Sequence, residues 1–293
     1  MKKEQAFGYI SSIVKHPDRF AVAVFSELAR FPIPIQFAMI GESKNVEGIL
    51  PDAISRYMYL MEGIREYEPE TTEIIRRVVK SGDTVMVAGA HIGVHAILAK
   101  QKAGEAGIVV GFEPTPNTYQ ILKRNCANRN IITEPVAITG GAESVEMTIF
   151  DVRHSAWNSG VAARTKTLNK WSPRTITVSG VTIDKYCSAK QLIPNVLILD
   201  LENGEMDALK GGEQTIHRIT PRILIECGDL GRSRENSTNA CLSLLSEWGY
   251  NLFEPDRSSN GVRQHKIMTT YPDDYQNILA VHNSDILANS IIS

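Results

Sequence analysis

The sequence has no excess of either charge and no long apolar run, and each absence excludes a class of protein. Its 31 basic and 33 acidic residues give a formal net charge of -2 at pH 7, so the chain has no overall field to attract nucleic acid or an anionic membrane. The longest apolar run near the N-terminus, residues 20–25, is far shorter than the ~20 residues that a membrane-spanning helix needs. We therefore expect neither a nucleic acid nor a membrane as a partner.

Cysteine is also scarce. The chain contains four cysteines, Cys126, Cys187, Cys227 and Cys241, and no two of them form a C-x-x-C pair. This usage is typical of reduced thiols in a cytosolic protein and argues against a disulfide framework or a zinc site. Because 43% of its 293 residues are hydrophobic, the chain can bury a full core. We expect a soluble, cytoplasmic protein with one large domain, or one domain with an appendage.

The pattern of apolar residues changes near residue 80. Before it, apolar residues recur at helical spacings, and Pro32 and Pro34 indicate an extended connector. We interpret residues 1–80 as a helical N-terminal cap, and any homodimer is expected to form through its helices. In residues 81–293, short apolar runs alternate with amphipathic helices, which predicts an α/β fold with a mostly parallel sheet wound on both faces. Its third strand is expected at residues 136–138.

A glycine-containing turn follows the first predicted strand of this sheet, residues 84–88. Gly89 lets the backbone turn sharply and approach a ligand, and Gly93 lets the next helix lie close and aim its N-terminal amides at that ligand. Glu113, which ends the second strand, is placed to accept hydrogen bonds from both hydroxyls of a ribose. Neither G-x-G-x-x-G nor G-x-x-x-x-G-K-[ST] occurs, so a nucleoside cofactor without phosphates, such as S-adenosylmethionine, suits this pattern.

Three carboxylates follow a buried strand at residues 195–199. Asp200 and Glu202 share one face by the strand period of two, and Glu205 projects from the first turn of the next helix. Ligands bind outside the carboxyl ends of strands in open α/β sheets, so these three are our candidate catalytic residues. The alternative is that Glu205 merely favours the positive end of a helix dipole.

These motifs resemble those of the FkbM-type methyltransferases, a branch of the class I S-adenosylmethionine-dependent fold. The resemblance covers residues 66–254 and rests on Tyr67-Glu68-Pro69-Glu70, Ser81-Gly82-Asp83, Gly89-Ala90-His91-Ile92-Gly93, Gly111-Phe112-Glu113-Pro114, Asp200-Leu201-Glu202-Asn203-Gly204-Glu205 and Trp248-Gly249-Tyr250, in that order. It implies a Rossmann-like sheet of seven strands, S-adenosylmethionine as cofactor, and methylation of a hydroxyl in a small molecule such as a sugar or natural-product intermediate. The cofactor-binding residues implied are Gly89, Ala90, His91, Gly93, Glu113, Pro114, Ala137 and Asp200.

For this reaction the carboxylates could act in two ways. An alcohol is a weak nucleophile at neutral pH, so Asp200 or Glu202 could take its proton as a general base, helped by a pKa that burial and mutual repulsion raise. Alternatively, Asp200, Glu202 and Glu205 could hold a divalent cation, because hard cations prefer oxygen ligands. We favour the base over the metal.

Three positions depart from the family pattern. Val87 stands where the family usually has an acid that holds the methionyl part of the cofactor, and His91 and Asn203 stand where asparagine and glycine are usual. The conservative interpretation is a repositioned cofactor end, helped by His91, in which case Val87→Asp should retain or tighten cofactor binding. The alternatives are an enzyme that uses the cofactor for aminocarboxypropyl transfer or cyclisation, and a non-catalytic relative of the fold.

A long, irregular segment at residues 151–180 could form a lid or an acceptor-binding loop. It contains His154 and Trp157, which are our candidate substrate-binding residues. The alternative is a solvated insertion.

Overall fold

The computed structural model describes residues 14–29, 31–64, 66–158, 173–229, 233, 237–256, 261–272 and 275–285. The described chain opens with helix α1 (Pro17–Ala29), strands β1 (Ile33–Phe37) and β2 (Val46–Leu50), and helices α2 (Ala53–Met61) and α3 (Pro69–Val78). Proline stands at the start of α3, where the first turn has no use for its missing N–H.

The predicted N-terminal cap is not wholly helical. β1 and β2 pair antiparallel, with Ile33 opposite Leu50, where an extended connector was expected around Pro32 and Pro34. Pro34 is tolerated because each strand of a two-stranded sheet has a free edge. Phe37 and Leu50 are fully buried and belong to the apolar core that also holds one face of the central sheet. The hairpin is therefore part of the main core.

Short apolar strands build the central sheet. β3 (Thr84–Ala88), β4 (Ile108–Phe112), β9 (Val196–Leu199) and β10 (Arg222–Ile225) run parallel as neighbours and are buried along most of their length, as strands covered on both faces must be. The others are β5 (Ile132–Glu134), β11 (Tyr250–Asp256), β12 (Gly261–Gln264) and β13 (Ile278–His282). The strand order is β12-β11-β13-β10-β9-β3-β4-β5. The predicted mostly parallel sheet is confirmed. Among the described residues it has eight strands where seven were expected, because β12 pairs with the edge of β11.

The third strand of the central sheet lies earlier than predicted. β5 pairs with β4, whereas residues 137 and 138 form β6 (Ala137–Ile138) in a separate three-stranded sheet with β7 (Ser144–Ile149) and β8 (Arg174–Val181). Pro135 stands between the two short strands and has no N–H for a ladder hydrogen bond. The chain therefore leaves one sheet and enters the other at this point.

Helices cover both faces of the central sheet. They are α4 (Val94–Ala103), α5 (Pro116–Cys126), α6 (Ile183–Lys190), α7 (Glu205–Gly211), α8 (Glu213–Ile219) and α9 (Thr238–Glu247), with a 3₁₀ helix at Val152–Trp157. Alternation along β3 sends Val85 and Val87 to the core beneath α2–α5, and Met86 and Ala88 to the core beneath α6–α9. Among the described residues, no helix combines the length and apolarity that crossing a bilayer requires.

Candidate active site

The candidate site lies at the carboxyl ends of the central strands. Between β3 and β9 the strand order reverses direction, because β4 and β5 follow β3 on one side and β10 follows β9 on the other. Such a reversal opens the crevice where open α/β sheets bind ligands. The structure brings the loop at residues 89–93 to this crevice, with Glu113 after β4, Asp200 after β9 and Glu226 after β10.

Two glycines shape the loop, for different reasons. Gly89 has φ +80°, and a Cβ there would lie 1.7 Å from the carbonyl oxygen of Asp200. Glycine is required at position 89 because the loop passes close to the backbone of Asp200. The sequence had suggested the close approach of a ligand as the reason for this glycine. Gly93 has φ +101°, and a Cβ would lie 3.0 Å from Cδ1 of Leu122, so here glycine lets α4 lie close to α5, as predicted.

Glu113 holds the loop and keeps a position for a ligand. Its Oε2 accepts a hydrogen bond from the His91 N–H at 3.2 Å, and its Oε1 accepts from the Thr115 N–H at 2.9 Å and from the Thr115 hydroxyl. Two carboxylate oxygens offer about four acceptor positions, so one remains on Oε2. Glu113 is 6% exposed and Pro114 beside it is half-buried, which makes this a rigid acceptor suited to a ribose hydroxyl.

The carboxylate cluster contains a residue that the sequence interpretation missed. One oxygen each from Asp200, Glu202 and Glu226 lie within 4.8 Å of one another, and all three residues are half-buried. Glu205 does not join them: it is 0% exposed and its Oε1 accepts a hydrogen bond from the Leu201 N–H at 2.8 Å. The predicted set of Asp200, Glu202 and Glu205 is thus corrected to Asp200, Glu202 and Glu226.

The physical reason is that the Glu205 side chain folds back onto the turn after β9, where it accepts the Leu201 N–H. The strand ends at Leu199, and Glu202 and Asn203 have φ values of 52° and 87°, so the period of two does not extend past Asp200. Glu226 was detectable in principle, because it ends the apolar strand β10, which is the parallel neighbour of β9. Only the order of strands in the sheet shows that the two strand ends are adjacent.

The cluster is strongly acidic. Burial, followed by repulsion from Glu68, Glu202 and Glu205, raises the pKa of Asp200 well above its ordinary value, while a hydrogen bond with Glu226 partly offsets this. Burial and the Glu68 carboxylate likewise raise the pKa of the Tyr67 hydroxyl, with further contributions from Asp200 and Asp52. The site therefore gathers carboxylates from four parts of the chain, which suits a cationic ligand and disfavours a phosphate.

A buried histidine lies at the edge of this acidic region. Nε2 of His95, on α4, is 3.7 Å from Oε2 of Glu68, and its ring lies 5.6 Å from the ring of Tyr67. Burial lowers the pKa of His95, against an opposing effect of Glu68. His95 is thus a packing residue next to the cluster.

His91 belongs to a hydrogen-bonded chain with two distant residues. Its Nε2 is 3.0 Å from Oγ of Ser155, in the 3₁₀ helix, and Ser155 Oγ donates to Oδ2 of Asp52 at 2.6 Å. Asp52 is 1% exposed, and its Oδ1 accepts from the Ser55 N–H at 2.7 Å and so caps α2. Local sequence gave no signal for this arrangement, because its members are 39 or more positions apart.

The other predicted residues lie in different surroundings. Ala137 is 9% exposed and packs with Met147 and Val178 in the small sheet. His154 is half-buried, with Nδ1 2.8 Å from Oδ1 of Asp151. The side chain of Trp157, the other candidate substrate-binding residue, and residues 159–172 lie outside the described part of the chain.

Val87 does not face the crevice. Its side chain is 1% exposed and belongs to the core beneath α2–α5. A residue at this position is surrounded by apolar side chains, so its valine is explained by packing. The departure at Val87 therefore gives no sign of altered chemistry.

The family model of the methyltransferase FkbM domain matches residues 88–252, more than half of the chain. This range includes the loop, Glu113 and all three members of the carboxylate cluster. No curated protein matches the sequence.

Several solved structures are similar in fold. An S-adenosylmethionine-dependent O-methyltransferase from Thermotoga maritima has 13% identity and a TM-score of 0.41, covering 80% of this chain and 73% of that chain. A methyltransferase FkbM from Methylobacillus flagellatus has 16% identity and a TM-score of 0.40, covering 93% of this chain and 60% of that chain. An O-methyltransferase from Bacillus cereus in complex with S-adenosylhomocysteine has 11% identity and a TM-score of 0.42, covering 74% of this chain and 83% of that chain.

Proposed function

Because the chain belongs to the FkbM methyltransferase family, we propose that this S-adenosylmethionine-dependent methyltransferase methylates a hydroxyl of a small molecule, a sugar or a natural-product intermediate. The observation that supports this most is the acidic crevice, in which Glu113 lies at one strand end and Asp200, Glu202 and Glu226 lie at two others. The balanced charge of the chain supports a small acceptor rather than nucleic acid. The four free, buried cysteines support a cytoplasmic location.

The residues present suit this cofactor. Glu113 has an acceptor position for the ribose hydroxyls, and the His91 N–H fixes its orientation. Burial, followed by repulsion from neighbouring carboxylates, raises the pKa of Asp200, and a cationic ligand relieves that repulsion. S-adenosylmethionine, when bound, supplies the methyl group: its carbon–sulfur bond breaks as the new carbon–oxygen bond forms, and the electron pair stays on sulfur.

The chain's own residues then have defined tasks. Gly89, Ala90 and Gly93 shape the loop beneath the cofactor, and Glu113 holds its ribose. Asp200 and Glu202 are the catalytic carboxylates, whose charge orients the cationic end of the cofactor and the acceptor hydroxyl. Glu226 joins them through its hydrogen bond with Asp200. A divalent cation held by Asp200, Glu202 and Glu226 is the alternative use of the cluster.

The test of the proposed function is transfer of label. The protein is incubated with S-adenosylmethionine tritiated in its methyl group and with a panel of hydroxylated sugars and natural products. Label is expected in an ether-linked methyl group of one class of acceptor. If calorimetry shows that the cofactor binds but no member of the panel receives label, the result would contradict the proposed function and support the alternative of a non-catalytic binding protein.

Glu113→Gln is expected to weaken S-adenosylmethionine binding by about 1.5–3 kcal/mol, the contribution of a hydrogen bond to a charged group. The amide keeps the size of the side chain and removes the charge that a ribose hydroxyl would meet. Calorimetry measures the effect, with Glu146→Gln, an exposed change on β7, as the matched control. Equal affinities for Glu113→Gln and the control would remove Glu113 from the cofactor site.

The outer face of α1 supports a homodimer. Phe25 is 61% exposed and Leu28 is 80% exposed, and Phe31 just beyond the helix is 63% exposed. Their spacing of three places the first two on one face. A second copy related by a two-fold axis would cover the same apolar face on both chains at once.

Leu28→Glu is expected to convert the dimer into a monomer, because two like charges would then meet in an apolar interface. Light scattering coupled to size-exclusion chromatography at micromolar concentration measures the mass. The control is Ile193→Glu, which changes another large apolar side chain, 61% exposed, outside α1. A monomeric unchanged protein would contradict the proposed dimer directly.

A further inference from the structure

The two ring nitrogens of His91 have different surroundings. The donor and acceptor roles of the neighbouring Ser155 hydroxyl determine which nitrogen carries the hydrogen. Ser155 donates its only hydroxyl hydrogen to the Asp52 carboxylate, at 2.6 Å, because an ionised carboxylate can only accept. Towards His91, 3.0 Å away, the same hydroxyl can therefore only accept. Nε2 of neutral His91 must then carry the hydrogen, and Nδ1 is left as a bare acceptor.

No described residue donates a hydrogen bond to Nδ1. It is buried and has no hydrogen-bond partner among the described residues. Leaving a buried acceptor unsatisfied is unfavourable, and such an atom in a ligand-binding loop points to a donor supplied by a ligand. The backbone N–H of His91 holds Glu113, so this nitrogen belongs to the loop where the cofactor is expected.

A carboxylate lies on the other side of the ring. Oδ2 of Asp52 is 3.6 Å from Nε2 of His91, within reach of a positive charge that forms on the ring during a proton transfer. Asp52 cannot turn away, because its other oxygen caps α2 and the residue is 1% exposed. A carboxylate that orients a histidine and stabilises its protonated form is the arrangement used to make histidine a general base.

We propose that His91 is the proton acceptor of the methyl transfer, with Nδ1 as the accepting atom and with Ser155 and Asp52 as positioning residues. This rests on the proposed function. The acceptor oxygen uses a lone pair for the new bond to the methyl carbon, its hydroxyl proton moves to Nδ1, and the proton passes to water when the product leaves. The carboxylates of Asp200 and Glu202, the base candidates from the sequence, then serve as the charge that faces the cofactor.

Several carboxylates lie in the region of His91. Asp52 faces the ring from the start of α2, and Glu113 accepts its backbone N–H from the end of β4. Glu68 and Asp200 act on Tyr67 together with Asp52, so they belong to the same acidic region.

The first test needs no acceptor substrate. Nitrogen-15 NMR of the cofactor-free protein, with the His91 signals assigned by their loss in His91→Asn, should show a hydrogen on Nε2 and a bare Nδ1. Asparagine is chosen because it tolerates the φ of 48° at this position. Ser155→Ala should move the Nε2 signal, and Ser155→Thr, which keeps the hydroxyl, should restore it. A neutral His91 with its hydrogen on Nδ1 would overturn the proposal.

The second test uses the pH profile. His91→Asn should lower kcat/KM by about 10²–10⁴-fold and abolish the fall in activity at acidic pH, while calorimetry shows cofactor binding retained through the backbone N–H. His217→Gln, a half-exposed histidine on α8, should keep the wild-type profile. If the acidic fall persists in His91→Asn and vanishes in Asp200→Asn, the base is Asp200. If no acceptor is methylated at all, the proposed function fails, while the NMR result still decides whether Nδ1 is the bare nitrogen.

Discussion

Asp200→Asn is expected to lower turnover by about 10²-fold or more, the effect of removing one preorganised electrostatic group from an active site, and to stabilise the folded protein at neutral pH. Asparagine keeps the size of the side chain and can donate a hydrogen bond to Glu226, the partner of Asp200. It carries no charge for the cationic end of the cofactor. Steady-state kinetics measure the first effect, and thermal unfolding measures the second.

The gain in stability follows from the raised pKa of Asp200. In the unfolded chain this carboxyl ionises at its ordinary pKa, whereas in the folded protein burial and the neighbouring carboxylates keep the proton on to higher pH. Between these two pKa values the folded state binds more protons, so the free energy of unfolding falls as pH rises. The advantage of Asp200→Asn over the unchanged protein should therefore grow as pH rises from the acidic range and shrink as pH falls.

Matched variants separate this role from others. Asp207→Asn removes an exposed acid from the first turn of α7 and should change neither turnover nor its pH dependence. Glu202→Gln should lower turnover like Asp200→Asn. If chelation with EDTA abolishes activity and a divalent cation restores it, the carboxylate cluster holds a metal ion, which is the alternative use of the cluster given above. Full turnover in both Asp200→Asn and Glu202→Gln would make the cluster structural.

Val87→Asp should destabilise the protein by about 3–5 kcal/mol, the scale reported for an uncompensated buried charge. The side chain of Val87 is 1% exposed and lies among apolar residues, so an aspartate there meets neither water nor a cation. Urea unfolding monitored by circular dichroism measures the change. This expectation replaces the one from the sequence, that an acid at position 87 would retain or tighten cofactor binding.

Val87→Thr provides the control, because it keeps the branched shape and replaces one methyl group with an uncharged hydroxyl. It should cost markedly less than Val87→Asp. If Val87→Asp is as stable as the unchanged protein and binds S-adenosylmethionine more tightly, the side chain at position 87 reaches the cofactor, and the placement of Val87 in the core is wrong.

Local patterns predicted the parts of the site that depend on neighbouring residues. The positions of Gly89 and Gly93 are set by the strand-to-helix turn that contains them, and the position of Glu113 is set by the end of the preceding strand. A short stretch of sequence was therefore enough to locate these residues. The parallel sheet was predictable for the same reason, since each strand is an apolar run followed by a helix.

The parts that were missed depend on distant residues. Glu226 joins Asp200 only because β9 and β10 are neighbours in the sheet. Ser155 reaches Asp52, 103 positions away, and nothing in either local sequence marks the partner. The pairing of β1 with β2 overrides the connector that Pro32 and Pro34 suggested, because burial of Phe37 and Leu50 is a tertiary effect. Glu205 was expected to project from the first turn of α7 into the crevice, but its side chain turns back to the Leu201 N–H, a contact that helical spacing alone does not reveal.

The identity of the cofactor product tests the central claim most directly. The protein is incubated with an accepted hydroxylated substrate and S-adenosylmethionine deuterated in its methyl group, and both products are quantified by mass spectrometry. Methyl transfer predicts S-adenosylhomocysteine and a deuterated O-methyl product in equal amounts. Formation of methylthioadenosine in place of S-adenosylhomocysteine, with the deuterated methyl group still on sulfur, would contradict it and show that the aminocarboxypropyl arm is transferred or cyclised instead.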